Sequence, residues 1–305
     1  MYNTNINLNL YKTFLVVAKS KSLSDASNKL NIEKPSLSRN IKQLEDTLGI
    51  KLFYRDSKGM KLTAEGEELY EFVDKSLSLL ETGEKIVQEK NDLSTGEITI
   101  GSLSHLSAFY VMDCIEKAKK DYPNLKIELV TGATGRNLID LLENHKIDFA
   151  IDSTNLDIAN KDIQLQELKV IDNIFISKEP LEITDIKQLE NFEYILGAEY
   201  TATTKELMDT LNKVDVKIKQ SVKIDITELR INAVKRGLGI GYVMKDAVEK
   251  EIENQEVYEV KIPMELPKSK VHLINLKGHL SKADKNFIKE YLKKYPDRIN
   301  VSLAD

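Results

Sequence analysis

One segment near the amino terminus, ending at Gly49, restricts the possible fold of this chain most. Ser24 suits the cap of a short helix that ends at Leu30, because a serine oxygen accepts a hydrogen bond from a free N–H of the first turn. Asn31 tolerates the left-handed backbone of a tight turn. Pro35 fits the first turn of a following helix, which Gly49 ends. The pattern predicts a helix-turn-helix.

The helix that begins near Pro35 has two different faces. The apolar residues recur at helical spacing and predict an inward face: Leu37, Ile41, Leu44 and Leu48. Another face carries long cations and a hydroxyl: Lys34, Ser38, Arg39 and Lys42. Such donors suit phosphates and base edges in the major groove of DNA. The alternative is an ordinary solvated helix surface.

Two short alternating runs, 50–55 and 60–63, follow this helix and flank a turn of Asp, Ser, Lys and Gly. They predict a two-stranded hairpin, a wing attached to the helices. Arg55, Lys58 and Lys61 are expected to line the wing and to contact phosphates in the flanking groove.

The charge of the chain is asymmetric. Residues 1–62 contain 11 Lys or Arg against 5 Asp or Glu, a net charge of +6. Since the whole chain carries −5, the remainder carries −11. A basic head on an acidic body is typical of a polyanion-binding module joined to a second function. A chance fluctuation in composition is the alternative.

A long helix is predicted from Thr63, a suitable cap, to about Lys90. Its apolar residues follow a rough three and four spacing: Leu69, Phe72, Leu79, Leu80, Ile86 and Val87. This face favours pairing with a second chain over packing against its own domain. Residues 91–96 contain turn formers and predict a hinge.

From Glu97 onward, strand-like and helix-like segments alternate, which predicts an α/β body with a mostly parallel sheet. The order indicates two lobes with a cleft between them. The first lobe comprises about 97–163 and 268–305, and the second about 164–267.

In open α/β folds, ligands bind outside the carboxyl ends of the strands. The residues there are candidate contacts for a small molecule: Ser102, Leu103, Ser104, Thr131, Gly132, Thr134, Ala198, Thr201, Thr203, Ile226 and Thr227. Hydroxyls at helix starts favour anionic groups, so the hypothesis is a carboxylate-bearing effector, with Arg136 as a partner. The alternative is that the hydroxyls only cap helices.

The head resembles the DNA-binding segment of LysR-type transcriptional regulators. The resemblance lies in residues 22–66, SLSDASNKLNIEKPSLSRNIKQLEDTLGIKLFYRDSKGMKLTAEG. Three positions depart from the family pattern: Ser27 replaces an alanine, Glu33 replaces a capping Ser or Thr, and Lys34 replaces a common Gln. A lysine at position 34 suits a phosphate or guanine contact better than an adenine contact.

The body resembles the effector-binding domain of the same family, which has the fold of type II periplasmic binding proteins. The resemblance lies in Gly101, Tyr122-Pro123, 147–151 and 234–241, and Met244 stands near a position where relatives carry Pro.

The resemblance implies a multidomain regulator. Its predicted parts are a winged helix-turn-helix domain over 1–62, a dimerisation helix over 63–90, a hinge over 91–96 and the effector domain over 97–305. It implies double-stranded promoter or operator DNA as the partner, a homodimer and a homotetramer, with RNA polymerase as a further partner. The implied DNA contacts are Ser24, Lys34, Pro35, Ser36, Ser38, Arg39, Lys42, Arg55, Lys58 and Lys61.

Other classes of protein are less consistent with the sequence. The single cysteine, Cys114, excludes an internal disulfide, and the four histidines lack metal-ligand spacing. We expect no cofactor, no metal, no enzymatic activity and no membrane segment. The lack of a signal-like start predicts a cytoplasmic location. The rival hypothesis, a solute-binding protein or small-molecule enzyme, leaves the basic head unexplained.

Overall fold

The computed structural model describes residues 6–56, 59–87, 93–132, 134–153, 160–198 and 201–293. The chain divides into two compact units, residues 1–84 and 85–305. Within the described ranges, no helix is both long enough and apolar enough to cross a membrane.

The amino-terminal unit begins with helices and continues into a hairpin: α1 (Leu8–Lys19), α2 (Leu23–Leu30), α3 (Lys34–Leu48), β1 (Phe53–Asp56) and β2 (Gly59–Leu62). The predicted turn and stop are confirmed, since Asn31 has φ 53° and Gly49 has φ 71°. The prediction that Ser24 caps α2 is wrong. Ser22 caps it, because its Oγ accepts the backbone N–H of Asp25 at 3.1 Å.

The core of this unit lies between α1, α3 and the start of the hairpin. Phe14, Leu37, Ile41 and Leu44 are almost completely buried there. Leu48 was predicted to share this face, but 37% of it is exposed. As the last residue of α3, it extends beyond the elements that cover the earlier turns.

A long helix, α4 (Ala64–Val87), follows the hairpin. The predicted cap is confirmed, because Thr63 Oγ1 accepts the backbone N–H of Gly66 at 2.9 Å. The predicted last turn, to Lys90, and the first hinge residues lie outside the described ranges.

The carboxy-terminal unit is an α/β structure, as predicted. Its strands are β3 (Glu97–Leu103), β4 (Lys126–Gly132), β5 (Phe149–Asp152), β6 (Ile163–Ser177), β7 (Glu193–Leu196), β8 (Lys219–Lys223), β9 (Ile240–Met244), β10 (Tyr258–Glu259) and β11 (Lys268–Leu276). Its α-helices are α5 (Ser104–Leu106), α6 (Met112–Asp121), α7 (Gly135–Glu143), α8 (Ala202–Lys213), α9 (Thr227–Lys235), α10 (Glu249–Glu253) and α11 (Lys282–Phe287). A π-helical turn joins α5 to α6, and another extends α11.

The strand order is β4-β3-β5-β11-β6-β9-β7-β8, with β10 beside β6. In the first lobe, β3 is parallel to both β4 and β5, and in the second lobe β7 is parallel to β8 and β9. The first ten residues of β6 run antiparallel to β11, and its later residues pair with β9. These two long strands therefore carry the chain from one lobe to the other. The sheet is mixed rather than mostly parallel as predicted, because β6 and β11 pair antiparallel with each other and with β9 and β5.

Each lobe has its own apolar core. In the first, Ile100, Phe149 and Phe287 are fully buried. In the second, Phe175 and Tyr194 occupy the centre. Because the parallel strands of a lobe point the same way, their carboxyl ends lie at one edge of the sheet, where the candidate contacts were predicted.

Candidate functional site

The cationic face of α3 is open to solvent. Lys34, Arg39 and Lys42 are exposed, and Ser36 and Ser38 are half-buried. Over the described part of the chain, none of the three cations forms an ion pair. An exposed row of unpaired cations on one helix is suited to a polyanion.

The start of α3 presents its backbone as well as its side chains. Pro35 lies exposed in the first turn, and Glu33 occupies the cap position without a side-chain hydrogen bond to the helix. Pro35 has no N–H, and the N–H groups of Ser36 and Leu37 donate to the carbonyl of Glu33, so among the described residues the N–H of Lys34 is the donor of this turn left for a phosphate oxygen.

The other predicted head residues are less fully placed. Ser24 is exposed on α2, and Lys61 is exposed on β2 opposite Tyr54. The backbone of Arg55 lies in β1, paired with Met60. Lys58 lies outside the described residues.

Glu45 is a structural residue of the head that sequence reasoning missed. It is 4% exposed, and its Oε1 accepts the backbone N–H groups of Leu52 at 2.9 Å and Phe53 at 3.3 Å. Its Oε2 contacts Lys51 Nζ at 2.8 Å. Burial raises the pKa of Glu45, but these hydrogen bonds outweigh burial and hold the pKa below its ordinary value. One carboxylate thus ties the cationic helix to the wing, the hairpin formed by β1 and β2.

In the first lobe, the structure brings the predicted strand-end residues together. Ser102 and Leu103 of β3 are in register with Thr131 and Gly132 of β4. Ser102 is fully buried, whereas Thr131 is exposed. Ser104 is exposed at the start of α5.

Two residues of the first-lobe prediction act at the start of α7. Thr134 caps this helix, because its Oγ1 accepts the backbone N–H of Asn137 at 3.2 Å. Arg136, the predicted anion partner, is mostly exposed and contacts Asp140 at 3.4 Å. The structure therefore gives Thr134 a capping role and places Arg136 on an exposed surface.

In the second lobe, the candidate residues surround the ends of β7 and β8. Ala198 is buried, and its N–H donates to Asp225 Oδ1 at 2.8 Å. Thr201 Oγ1 donates to the carbonyl of Ala198 at 2.8 Å, and Thr203 is half-buried. Thr227 is buried at the start of α9.

Ile226 stands apart from this group because half of its surface, 51%, is exposed. It occupies the cap position of α9 and makes no side-chain cap hydrogen bond.

Two further residues near these strand ends were not predicted. His105 Nε2 lies 3.1 Å from Ser153 Oγ in the first lobe. Arg230, in the second lobe, donates from Nη2 to Thr227 Oγ1 at 3.0 Å and from Nη1 to the carbonyl of Ile224 at 3.3 Å. A signal existed for Arg230, since it follows the chosen Thr227 by three residues and so shares its side of the helix.

The two residues influence each other electrostatically. Burial lowers the pKa of His105 to about 4, and the charge of Arg230 acts in the same direction. Burial also lowers the pKa of Arg230, while Asp225 and Glu228 act in the opposite direction. His105 is therefore neutral at physiological pH and Arg230 remains charged. Because the two residues come from different lobes, the cleft between the lobes is polar at this point.

The single cysteine lies away from these strand ends. Cys114 is fully buried on α6, and burial raises the pKa of its thiol to about 12. No cluster of His, Cys, Asp or Glu among the described residues is arranged to hold a metal ion.

A winged helix-turn-helix with an open cationic face, joined to a two-lobed α/β domain with polar strand ends, defines the class of DNA-binding regulators that respond to a small molecule. The family comparisons agree. The model of the LysR substrate binding domain matches residues 91–295, and that of the bacterial regulatory helix-turn-helix protein, lysR family, matches residues 8–67. The chain belongs to the LysR family of transcriptional regulators.

Curated relatives are regulators of the same kind. The HTH-type transcriptional regulator GltR of Bacillus subtilis is 26% identical over 248 residues, which cover 80% of this chain and 81% of the relative. The HTH-type transcriptional regulator CzcR of the same species is 29% identical over 238 residues, or 77% of this chain and 79% of the relative.

Solved structures share the fold. A full-length OxyR variant from Pseudomonas aeruginosa has a TM-score of 0.66 at 16% identity, covering 92% of each chain. The Vibrio cholerae virulence activator AphB has a TM-score of 0.56 at 17% identity, covering 93% of this chain and 98% of that one.

Proposed function

We propose that this regulator binds double-stranded promoter or operator DNA with α3 in the major groove. The single observation that carries the proposal is the exposed, unpaired row of Lys34, Arg39 and Lys42 on that helix. Arg39 and Lys42 reach phosphates or guanine edges, and the backbone N–H of Lys34 binds a phosphate. Lys61 on the wing adds a contact to the flanking backbone, as do Arg55 and Lys58 by their place in the sequence.

The DNA-bound form is proposed to be a homodimer that pairs through α4. This helix exposes large apolar side chains along 24 residues: Phe72, Leu79, Leu80, Ile86 and Val87. Exposed apolar surface of this extent favours a partner helix of the same kind. Two heads then contact two half-sites. Assembly into a homotetramer and contact with RNA polymerase are further parts of the proposal.

A small-molecule effector is proposed to bind between the lobes, at the carboxyl ends of β3, β4, β7 and β8. The exposed hydroxyls of Ser104 and Thr131, with that of the half-buried Thr201, supply hydrogen-bonding groups there. The bound effector changes the affinity of the protein for DNA and is not itself converted, so the protein acts without catalysis. We place this activity in the cytoplasm.

The DNA proposal is tested by Arg39→Ala, with Lys12→Ala as the control. Both substitutions remove one exposed positive charge from the amino-terminal unit, but the control residue, Lys12, lies on α1, outside both the proposed DNA contacts and the proposed dimer helix α4. We expect Arg39→Ala to weaken binding to the operator about tenfold or more, because a base or phosphate contact contributes about 1–3 kcal/mol. Lys12→Ala is expected to leave the operator affinity unchanged.

Footprinting and fluorescence anisotropy with the intergenic region beside the gene measure this difference. Equal affinities of the Arg39→Ala and wild-type proteins would contradict the assignment of α3 as the DNA-reading helix. Circular dichroism confirms that each variant retains its helical content.

A further inference from the structure

One guanidinium in the cleft, that of Arg230, makes no direct contact with a carboxylate of the described residues. Arg230 is half-buried, and its Nε is a fully buried donor with no hydrogen-bond partner. Among the described residues, no carboxylate lies within ion-pair distance of its guanidinium. An arginine cannot discharge itself by losing a proton, so a partly buried guanidinium without an anion is costly.

The surroundings hold this guanidinium against the strand ends rather than in solvent. A Cβ at position 197 would lie 2.7 Å from Nη1 of Arg230, so the guanidinium lies directly against the backbone of Gly197. The same point lies 3.3 Å from Thr204 Oγ1 and 3.5 Å from Thr201 Oγ1. Thr227 Oγ1 and the carbonyl of Ile224 fix the remaining orientation. The guanidinium is thus preorganised among hydroxyls.

The nearby acids do not neutralise this group. Asp225 affects Arg230 electrostatically, but its Oδ1 accepts the N–H of Ala198. Glu228 is exposed on the first turn of α9. Together these acids make the site unfavourable for a dianion such as phosphate, while a single carboxylate matches the fork of one guanidinium.

We propose that Arg230 is the anchor for a monoanionic carboxylate group of the effector, with neutral His105 of the opposite lobe as its second contact. This inference rests on the proposed effector role of the cleft. An anion that bridges Arg230 and His105 bonds to both lobes at once. Its binding therefore favours the closed arrangement of the lobes, which gives the ligand a means of changing the state of the domain.

The test compares Arg230→Gln with Arg236→Gln in the full-length protein. Arg236 is an exposed residue at the end of the same helix, so both variants lose one positive charge from α9. The probes are sodium acetate and sodium benzoate, replacing sodium chloride at constant ionic strength, with acetamide, benzamide and inorganic phosphate as comparison ligands. The readout is the urea midpoint of unfolding, since a ligand of the native state raises it.

We expect acetate or benzoate to raise the urea midpoint of the wild-type and Arg236→Gln proteins. For Arg230→Gln, the apparent affinity for the carboxylate, obtained from the rise in midpoint, is expected to be about tenfold weaker. Acetamide, benzamide and phosphate are expected to change the urea midpoints of the wild type and Arg230→Gln equally. Equal responses of Arg230→Gln and the wild type, or no response of the wild type to either carboxylate, would overturn the proposal. So would a phosphate effect larger than the carboxylate effect.

A second variant separates ligand binding from a structural role. Without any carboxylate, Arg230→Met is expected to unfold at the same or a higher urea concentration than the wild type, because it removes an unpaired buried charge. A lower midpoint for Arg230→Met would assign Arg230 to the scaffold and overturn the proposal.

Operator binding of every variant is measured in parallel. Normal DNA binding together with an unchanged response to carboxylate rejects the anion site alone. If the wild-type protein does not bind the operator, the proposed function itself is rejected.

Discussion

Replacing Glu45 with alanine should detach the wing from the cationic helix. The carboxylate is 4% exposed and accepts two backbone N–H groups, those of Leu52 and Phe53. Leu52 is fully buried and Phe53 is 5% exposed, so both donors lose their acceptor without gaining water. The substitution also leaves a small cavity beside them.

The expected magnitude follows from these contacts. Each buried donor left without a partner costs about 1–3 kcal/mol. The contact from Phe53, at 3.3 Å, is the weaker of the two, which puts their sum at about 2–4 kcal/mol. The ion pair with Lys51 adds little, because the Lys51 side chain is 69% exposed and surface pairs contribute about 0–1 kcal/mol.

Hydrogen exchange of the wing, followed by mass spectrometry, measures this change directly. A local loss of about 2–4 kcal/mol accelerates amide exchange about 30-fold to several hundredfold. Lys51→Met is the control, because it removes the ion pair and keeps the two backbone contacts. If Glu45→Ala and Lys51→Met exchanged at the same rate in this hairpin, the backbone contacts would not be what holds the wing.

Further predictions concern acidity, reactivity and one backbone position. The stability that Glu45 contributes is present above about pH 4.5, its unfolded pKa, and is lost as pH falls through the lower folded value, which a urea titration across acidic pH detects. The pKa of His105 is 6.5 in the unfolded chain and about 4 in the fold, so the unfolded chain binds a proton more readily. The effector domain therefore loses stability as pH falls from about 6.5 to about 4, and His105→Gln removes that part of the pH dependence. Cys114 should react with a thiol reagent only as fast as the effector domain opens, and rapid labelling in native buffer would refute its burial. Gly239→Ala should destabilise the second lobe by about 2 kcal/mol or more, since position 239 has φ 145° and a Cβ there would lie 2.6 Å from the carbonyl oxygen of Glu193; an unchanged melting curve would contradict this.

Features of the head that depend on neighbouring residues were predictable from the sequence. Asn31, Gly49 and Thr63 each act within one turn of their own position, so their residue types indicate their roles. Ser22 and Ser24 are both suitable caps two residues apart, and the choice between them depends on the backbone angles before the helix. Glu45 looked like an ordinary polar helix residue, because its partners belong to a strand whose position only the fold reveals.

In the effector domain, the alternation of strands and helices was also predictable, as was the meeting of Ser102 and Thr131 at the strand ends. The electrostatic effect of Arg230 on His105 was not, because the two residues are far apart in the sequence and belong to different lobes. Arg136 illustrates the same difficulty, since its place near a chosen helix start suggested a role in the cleft, whereas its contact is Asp140 on its own helix. The start of α9 at Thr227 was predicted correctly, but the contacts of the long side chains beside such a start depend on the fold.

The central claim, that α3 contacts DNA through unpaired cations, is tested most directly by the salt dependence of operator binding. Affinity for the intergenic region beside the gene is measured by fluorescence anisotropy over a series of salt concentrations, against a scrambled duplex of equal length. We predict a steep fall of log K with log salt, with about one unit of slope lost in Arg39→Ala if this residue contacts a phosphate, and tighter binding to the native fragment throughout. Equal, salt-independent binding to both duplexes, or no binding to either, would contradict the account.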